Sequence, residues 1–256
     1  MNDAADPDAM PVAEYLRQGG RLTSPQGIPP RYRAELMRLM SSFVDSELAG
    51  SAGFAAAINW APGIKERIAA SRITLEKADH AERVLKLMAE FGTDMARYEQ
   101  AHDWSARVSR SAEIAASRRG GDMRLSVFHY PLAGWTDAVA MNVVMGLATG
   151  VQLAEMARAS YQPLAEELRA IASRERRHVE LGLEGLERIA GSETGRVEAR
   201  KALTYWWPRV AETFGPAGSE RFERLREMGL RHETNEALRA RWEDEAKAAL
   251  TPLGLG

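Results

Sequence analysis

Residues 163–190 read PLAEELRAIASRERRHVELGLEGLERIA, and their apolar side chains recur at helical spacing. One line along the helix surface carries Leu164, Leu168, Ile171, Glu175 and His178. Because the first three of these belong in a core, the carboxylate and the imidazole that follow them are expected to face inward as well. The pattern predicts a long amphipathic helix, about 163–190, with ionisable groups on its buried face.

Three further long helices complete the predicted bundle. One follows Pro29 and Pro30 at about 31–51, the second follows Asn59-Trp60-Ala61-Pro62 and ends near Phe91, and the third spans about 134–159. A crossover of some forty residues joins the two pairs; within it we expect a shorter helix near 94–117 and an extended connector at 127–131. Strand-type alternation is almost absent. The chain is therefore predicted to be an all-α four-helix bundle with a long central crossover.

Turn residues suggest where this bundle begins and ends. Residues 1–30 contain GG, SPQG and IPP and are interpreted as an N-terminal arm. The bundle is assigned to residues 31–214, and the break at Phe214-Gly215-Pro216 opens a C-terminal helical extension, 215–256. This extension adds about two polar helices to the fold.

Composition excludes several classes of function. Lys and Arg number 34 against 36 Asp and Glu, a formal charge of −2, which offers no basic field for nucleic acid. The absence of cysteine excludes disulfides, thiolate zinc sites, iron–sulfur clusters and cysteine nucleophiles. Any metal would need His, Asp or Glu. The N-terminus is acidic, and no uninterrupted apolar run reaches the ~18 residues that would cross a bilayer. We therefore expect a cytoplasmic protein without a membrane partner.

Ionisable residues also occupy the core lines of the first two helices. Glu47 continues the line of Leu36, Met40 and Phe43, and Lys77 and His80 lie on the line of Ile73, Val84 and Leu87. Burying such groups costs many kcal/mol unless a metal or an ion pair compensates. Two arrangements remain open. Either a metal binds Glu47, His80, Glu175 and His178, or the Lys77 ammonium lies between Glu47 and Glu175.

The pattern matches a di-iron carboxylate bundle only in part. Glu175-Arg176-Arg177-His178 is the Glu-x-x-His element that such bundles use. Three residues before His80, however, is Lys77, where a carboxylate is expected, and the third-helix position level with Glu47 is Gly146. Glu76 would turn inward only through a local helix bulge. Its plain geometry favours the flank of the helix.

Several short stretches, with their intervals kept, carry a family resemblance between about Tyr32 and Gly215. They are Ser46-Glu47, Asn59-Trp60-Ala61-Pro62, Asp79-His80-Ala81, Tyr130-Pro131, Trp135-Thr136-Asp137, Ser160-Tyr161-Gln162-Pro163, Arg174-Glu175-Arg176-Arg177-His178, Trp206-Trp207-Pro208 and Phe214-Gly215-Pro216. Together they resemble the phenylacetic-acid catabolism family of ferritin-like proteins, and within it the A-type subunits that epoxidise the ring of phenylacetyl-CoA.

This resemblance implies a ferritin-like fold and an oxygenase that activates dioxygen at two irons. It further implies an acyl-CoA thioester as substrate, a reductase and a related metal-free partner subunit. Carried over by position, the ligand set matches Glu47, His80, Glu175 and His178, and departs at Lys77 and Gly146. We therefore expect a non-haem iron oxygenase with an altered site, in which Lys77 is the candidate catalytic residue. The alternative is a metal-free, non-catalytic subunit in which Lys77 replaces the metal charge.

Two surfaces are candidates for binding in this scheme. Tyr205-Trp206-Trp207-Pro208 and the C-terminal helices add apolar area that could support a homo- or hetero-oligomer, or simply cap the bundle. Arg118, Arg119 and Arg124 surround a glycine pair and could hold a CoA phosphate. The competing interpretation of these arginines is an ordinary solvated loop.

Overall fold

The computed structural model describes residues 11–114 and 120–256, and this part of the chain is mostly helical. Its α-helices are α1 (Val12–Arg17), α2 (Pro30–Ala57), α3 (Ile64–Glu90), α4 (Met95–Glu99), α5 (Trp135–Met156), α6 (Gln162–Ala190), α7 (Glu193–Ala211), α8 (Glu220–Glu227) and α9 (Asn235–Leu250). The described residues contain no β-strand, only an isolated bridge between Leu22 and Tyr161. The predicted all-α fold is confirmed.

Helices α2, α3, α5 and α6 form the ferritin-like bundle. Short connections at 58–63 and 157–161 make α2–α3 and α5–α6 hairpins, and α3 packs against α6. Leu36, Met40, Val84 and Leu168 on these helices are completely buried. Burial of each such side chain contributes about 1.5–3 kcal/mol. The apolar lines of the sequence therefore do meet in one interior.

A second layer, formed by α7 and α9, covers the outer side of α5. Trp206 and Trp242 are fully buried here, and their indole nitrogens donate to Asp137 Oδ1 at 3.0 Å and to the Val144 carbonyl at 2.9 Å. Because of this cover, α5 lies mostly inside the protein, although its length and composition would suffice to cross a membrane. The boundaries proposed at residues 30 and 214 stay a prediction.

Helix α7 has no counterpart among the helices predicted from the sequence, and it continues through Trp206-Trp207-Pro208. Ser192 caps its start by accepting from the Gly195 amide. Pro208 lies in the last turn, where the missing N–H removes one helical hydrogen bond. Trp206 in the preceding turn is fully buried, shares an apolar cluster with residues of α5 and donates to Asp137 on that helix.

The crossover departs most from its prediction. Of the helix expected at 94–117, the described part up to residue 114 contains only α4, five residues capped by Asp94. Positions 115–117 lie outside the described residues. After α4, the Arg107 guanidinium donates to the carbonyls of Trp104 at 2.7 Å and of Ala49 at 2.7 Å. Such side-chain bonds to the backbone compete with a helical ladder. Likewise, the connector expected to be extended contains the 3-10 turn Ser126–His129.

The arginines considered for a CoA phosphate separate into two groups. Arg118 and Arg119 lie outside the described residues. Arg124 is buried, and its Nε lies 2.9 Å from Asp122 Oδ2 while another of its nitrogens donates to the Asp103 carbonyl at 2.9 Å. Arg124 therefore holds the crossover together and is not part of a solvated loop.

Asp137 fixes both the crossover and α7 to the start of α5. Its carboxylate accepts two hydrogen bonds from Arg110, at 2.8 and 3.0 Å, one from Trp206 Nε1 at 3.0 Å and one from the Ala133 amide at 2.9 Å. One buried acid thus satisfies donors from three segments of the chain.

Replacing Asp137 with alanine is expected to lower the free energy of unfolding by about 3 kcal/mol, because a buried indole N–H and a guanidinium lose their acceptor. Urea unfolding followed by circular dichroism measures the change. Thr136→Ala is the control: this neighbour bonds only the exposed Glu198, so its effect should stay within about 0.5 kcal/mol. Equal effects of the two substitutions would contradict the anchoring role.

Candidate functional site

Five ionisable side chains meet at the centre of the bundle. Glu47 comes from α2, Lys77 and His80 from α3, and Glu175 and His178 from α6, and all five are buried. The structure therefore brings together every site residue that the sequence predicted.

Lys77 lies between the two glutamates of this cluster. Its Nζ donates to Glu47 Oε1 at 3.0 Å and to Glu175 Oε1 at 3.1 Å. A buried ammonium with two carboxylate partners is well compensated, whereas removing one partner from such a group costs several kcal/mol. The Lys77 ammonium between the two glutamates is one of the two arrangements considered from sequence, and these contacts form it.

The same contacts set the protonation states. Burial acts to lower the pKa of Lys77, but Glu175 and Glu47 together outweigh it and the pKa is raised. Burial acts to raise the pKa of Glu175, yet Lys77 and the two histidines hold it well below its ordinary value. Both groups are therefore charged at neutral pH.

His80 lies beside the same carboxylates. Its Nδ1 is 3.1 Å from Glu47 Oε2 and 3.2 Å from Glu175 Oε1. Since ionised carboxylates only accept, Nδ1 carries a proton in this arrangement. Burial alone would lower the pKa of His80, but hydrogen bonds to Glu175 and Glu47 raise it. Its Nε2 is buried and has no hydrogen-bond partner within residues 11–114 and 120–256.

His178 connects the cluster to the protein surface. Its Nε2 lies 2.6 Å from Glu76 Oε2, and its Nδ1 lies 3.2 Å from Glu175 Oε1. Asn142 on α5 donates to the His178 carbonyl at 2.8 Å. The Glu76 side chain is one-quarter exposed. Glu76 therefore lies on the flank of α3 and binds His178, with no bulge turning it towards the lysine.

The donor set fits one metal ion and not two. Glu47, His80 and Glu175 each offer a ligand atom, and these atoms lie within 4.8 Å of one another. A dinuclear site would also need carboxylates at positions 77 and 146. Position 77 is lysine, and a Cβ on Gly146 would lie 2.7 Å from Val179 Cγ2. A carboxylate at position 146 is excluded unless Val179 moves.

A cavity of about 450 Å³ adjoins this cluster. Glu47 forms part of its wall, and Phe43, Met145 and Phe214 supply apolar lining. Arg38, Arg221 and Arg231 also line it. The cavity thus offers an apolar interior, an acid at the charged cluster and cationic side chains, a combination that suits an amphipathic anion.

Comparison with known proteins agrees with this architecture. The sequence profile of the family described as phenylacetic acid catabolic protein matches residues 21–256. The chain belongs to this family. One relative is the A component of the 1,2-phenylacetyl-CoA epoxidase of Escherichia coli (strain K12), 25% identical over 233 residues that cover 89% of this chain and 70% of the relative. The resemblance inferred from short stretches is confirmed at family level.

Sequence reasoning missed two features of this family member's centre. The contact between Glu76 and His178 joins residues 102 positions apart, and no periodicity indicates it. Asn142 lies on α5, a helix that is apolar on most sides. Its sequence pattern therefore gives little information about which face points into the bundle. The line of Val139, Asn142 and Gly146 at steps of three and four was the available signal for Asn142.

Lys77→Met should lower the free energy of unfolding by about 3–5 kcal/mol, because it leaves two buried carboxylates without their cation. Chemical denaturation at neutral pH measures the loss. Lys86→Met on the same helix is the matched control: Lys86 pairs with Glu82 at 3.0 Å but is 60% exposed, so its loss should cost at most about 1 kcal/mol. Unchanged stability of Lys77→Met would contradict the buried ion pair.

Proposed function

We propose that this chain is a component of a ferritin-like oxygenase that holds a single iron on Glu47, His80 and Glu175 and oxidises an aromatic or acyl-CoA substrate. The convergence of these three ligand atoms beside the cavity is the observation that supports it. Similarity to the A component of an epoxidase supports the class of reaction. A cytoplasmic location belongs to the same proposal.

Carboxylate oxygens and imidazole are ligands that suit non-haem iron. When bound, iron would supply the chemistry of dioxygen activation, which no side chain of the cluster can provide. His178 is the additional ligand candidate, because its Nδ1 lies 3.2 Å from the same Glu175 oxygen as His80. Lys77 must leave the two glutamates for an ion to enter, since its Nζ already bonds both.

The residues around the cavity would bind and orient the substrate. Its volume of about 450 Å³ suits an acyl group and part of a pantetheine arm, with the CoA phosphates left outside. Arg38 is exposed and makes no ion pair or hydrogen bond to the described residues. We assign Arg38 to an anionic part of the substrate. A reductase and a related subunit complete the proposed system.

A second candidate function is favoured by the charge balance of the cluster. Two carboxylates face the Lys77 ammonium and a His80 whose pKa is raised, so the cluster is neutral when both are protonated. Such a site requires no metal. On this alternative the chain is a metal-free subunit whose function is assembly with an active partner.

Anaerobic titration with Fe(II) separates the two functions. We expect about one iron per chain in the wild type, because a single set of ligands converges among residues 11–114 and 120–256. Glu175→Gln should lower the affinity for Fe(II) by at least about tenfold. Substitution of residues that only hydrogen-bond to a metal ligand already lowers metal affinity by about 10–100-fold. Lys77→Met should raise the affinity, because the competing ammonium is gone.

Glu167→Gln on α6 is the control for this titration, because Glu167 pairs with Arg83 away from the cluster. Two irons per chain with a coupled spectrum would contradict the single-metal proposal. No iron in the wild type, together with iron binding by Lys77→Glu, would establish the metal-free alternative.

Arg38→Ala should weaken binding of a phenylacetyl-CoA probe by about tenfold, because one charge-assisted hydrogen bond contributes about 1.4 kcal/mol to the binding free energy. Isothermal titration calorimetry with the metal-free chain measures it. Arg224→Ala on α8 is the control, since Arg224 does not line the cavity. Equal affinities of the two variants would exclude Arg38 from substrate binding.

A further inference from the structure

A row of large apolar side chains lies on the outward face of α3. Ile64, Ile68 and Leu75 are 79%, 56% and 71% exposed, and Trp60 directly before the helix is 41% exposed. The opposite face of α3 carries Lys77 and His80 into the bundle. Single exposed apolar residues are ordinary, but four within sixteen residues form a continuous surface. We name these four residues the α3 stripe.

Cations border the α3 stripe. Lys65, Arg67 and Arg72 are exposed, and within the described parts of the chain none of them makes an ion pair. Elsewhere on the surface arginines are commonly paired, as Arg177 is with Glu180 and Glu184. One acid, Glu76, lies on the same surface and binds His178. The stripe therefore presents apolar area together with an excess of positive charge.

A surface of opposite charge lies on α6. Leu183, Ala249 and Leu253 form the apolar floor of a groove of about 450 Å³. Its rim carries Glu180, Glu184 and Glu187, and Arg177 is the cation that lines it. We name this surface the α6 groove. It combines apolar area with net negative charge, as the stripe combines apolar area with positive charge.

We propose that the α3 stripe of one copy of this chain docks on the α6 groove of a second copy. Charge complementarity selects this occupant, because the excess cations of one surface meet the excess carboxylates of the other. Burial of the isoleucines and the leucine supplies the apolar contribution. Since the stripe and the groove are different surfaces, the contact is heterologous and repeats from copy to copy, as a closed ring or as an open filament.

Sedimentation velocity of the full-length, metal-free chain tests this proposal. The wild type should associate at about 0.05 M salt and dissociate towards monomer at about 0.5 M, because ions screen exposed charges. Ile68→Glu should weaken association by at least about tenfold, which corresponds to about 1.4 kcal/mol. Val197→Glu is the control: Val197 is 57% exposed on α7, outside both surfaces, and its substitution should change nothing.

Charge reversal then identifies the partner surface. Arg67→Glu/Arg72→Glu and Glu184→Arg/Glu187→Arg should each abolish self-association, and an equimolar mixture of the two variants should restore it. Circular dichroism should be unchanged in every variant, since all these side chains are solvent-exposed. A monomeric wild type at both salt concentrations, equal behaviour of Ile68→Glu and Val197→Glu, or a mixture that stays monomeric would each overturn the proposal. None of these outcomes depends on iron or substrate.

Discussion

The bundle depends on a single carboxylate oxygen. Glu175 Oε1 lies 3.1 Å from Lys77 Nζ, 3.2 Å from His80 Nδ1 and 3.2 Å from His178 Nδ1. Because removing one partner from a buried ion pair costs about 3–5 kcal/mol, these contacts constrain how far apart α3 and α6 can lie. Glu47 extends the same requirement to α2. The candidate site is therefore also a structural constraint on three of the four bundle helices.

Most of the fold and the inward direction of the site residues could be predicted, because both follow from local periodicity. Leu168, Ile171 and Glu175 share one helical line, and burial of the apolar members carries the acid inward with them. The same holds for Ile73, Lys77 and His80 on α3. The contact of Lys77 with both glutamates could be stated from sequence only as one of two alternatives, since its geometry depends on how three helices meet.

Features that depend on distant partners could not be predicted. The segment after α4 looked helical by composition, yet Arg107 bonds the carbonyl of Ala49, 58 positions earlier in the chain. The predicted helices also omit α7, in which Trp206 donates to Asp137, 69 positions earlier. Both places contain a long-range hydrogen bond of a side chain. Intrinsic helix propensity depends on residue type alone and therefore does not reveal contacts with distant residues.

The two departures from a di-iron set differ in how they constrain the protein. Lys77 is a difference of charge: a carboxylate in its place would add an acid where an ammonium now neutralises two. Gly146 is a difference of space, because Val179 Cγ2 occupies the volume that even a Cβ would need. Carboxylates at positions 77 and 146 would therefore also require the Val179 side chain to move. A single substitution at Lys77 would change the charge of the cluster but would leave the close approach of α5 and α6 at Gly146 and Val179 as it is.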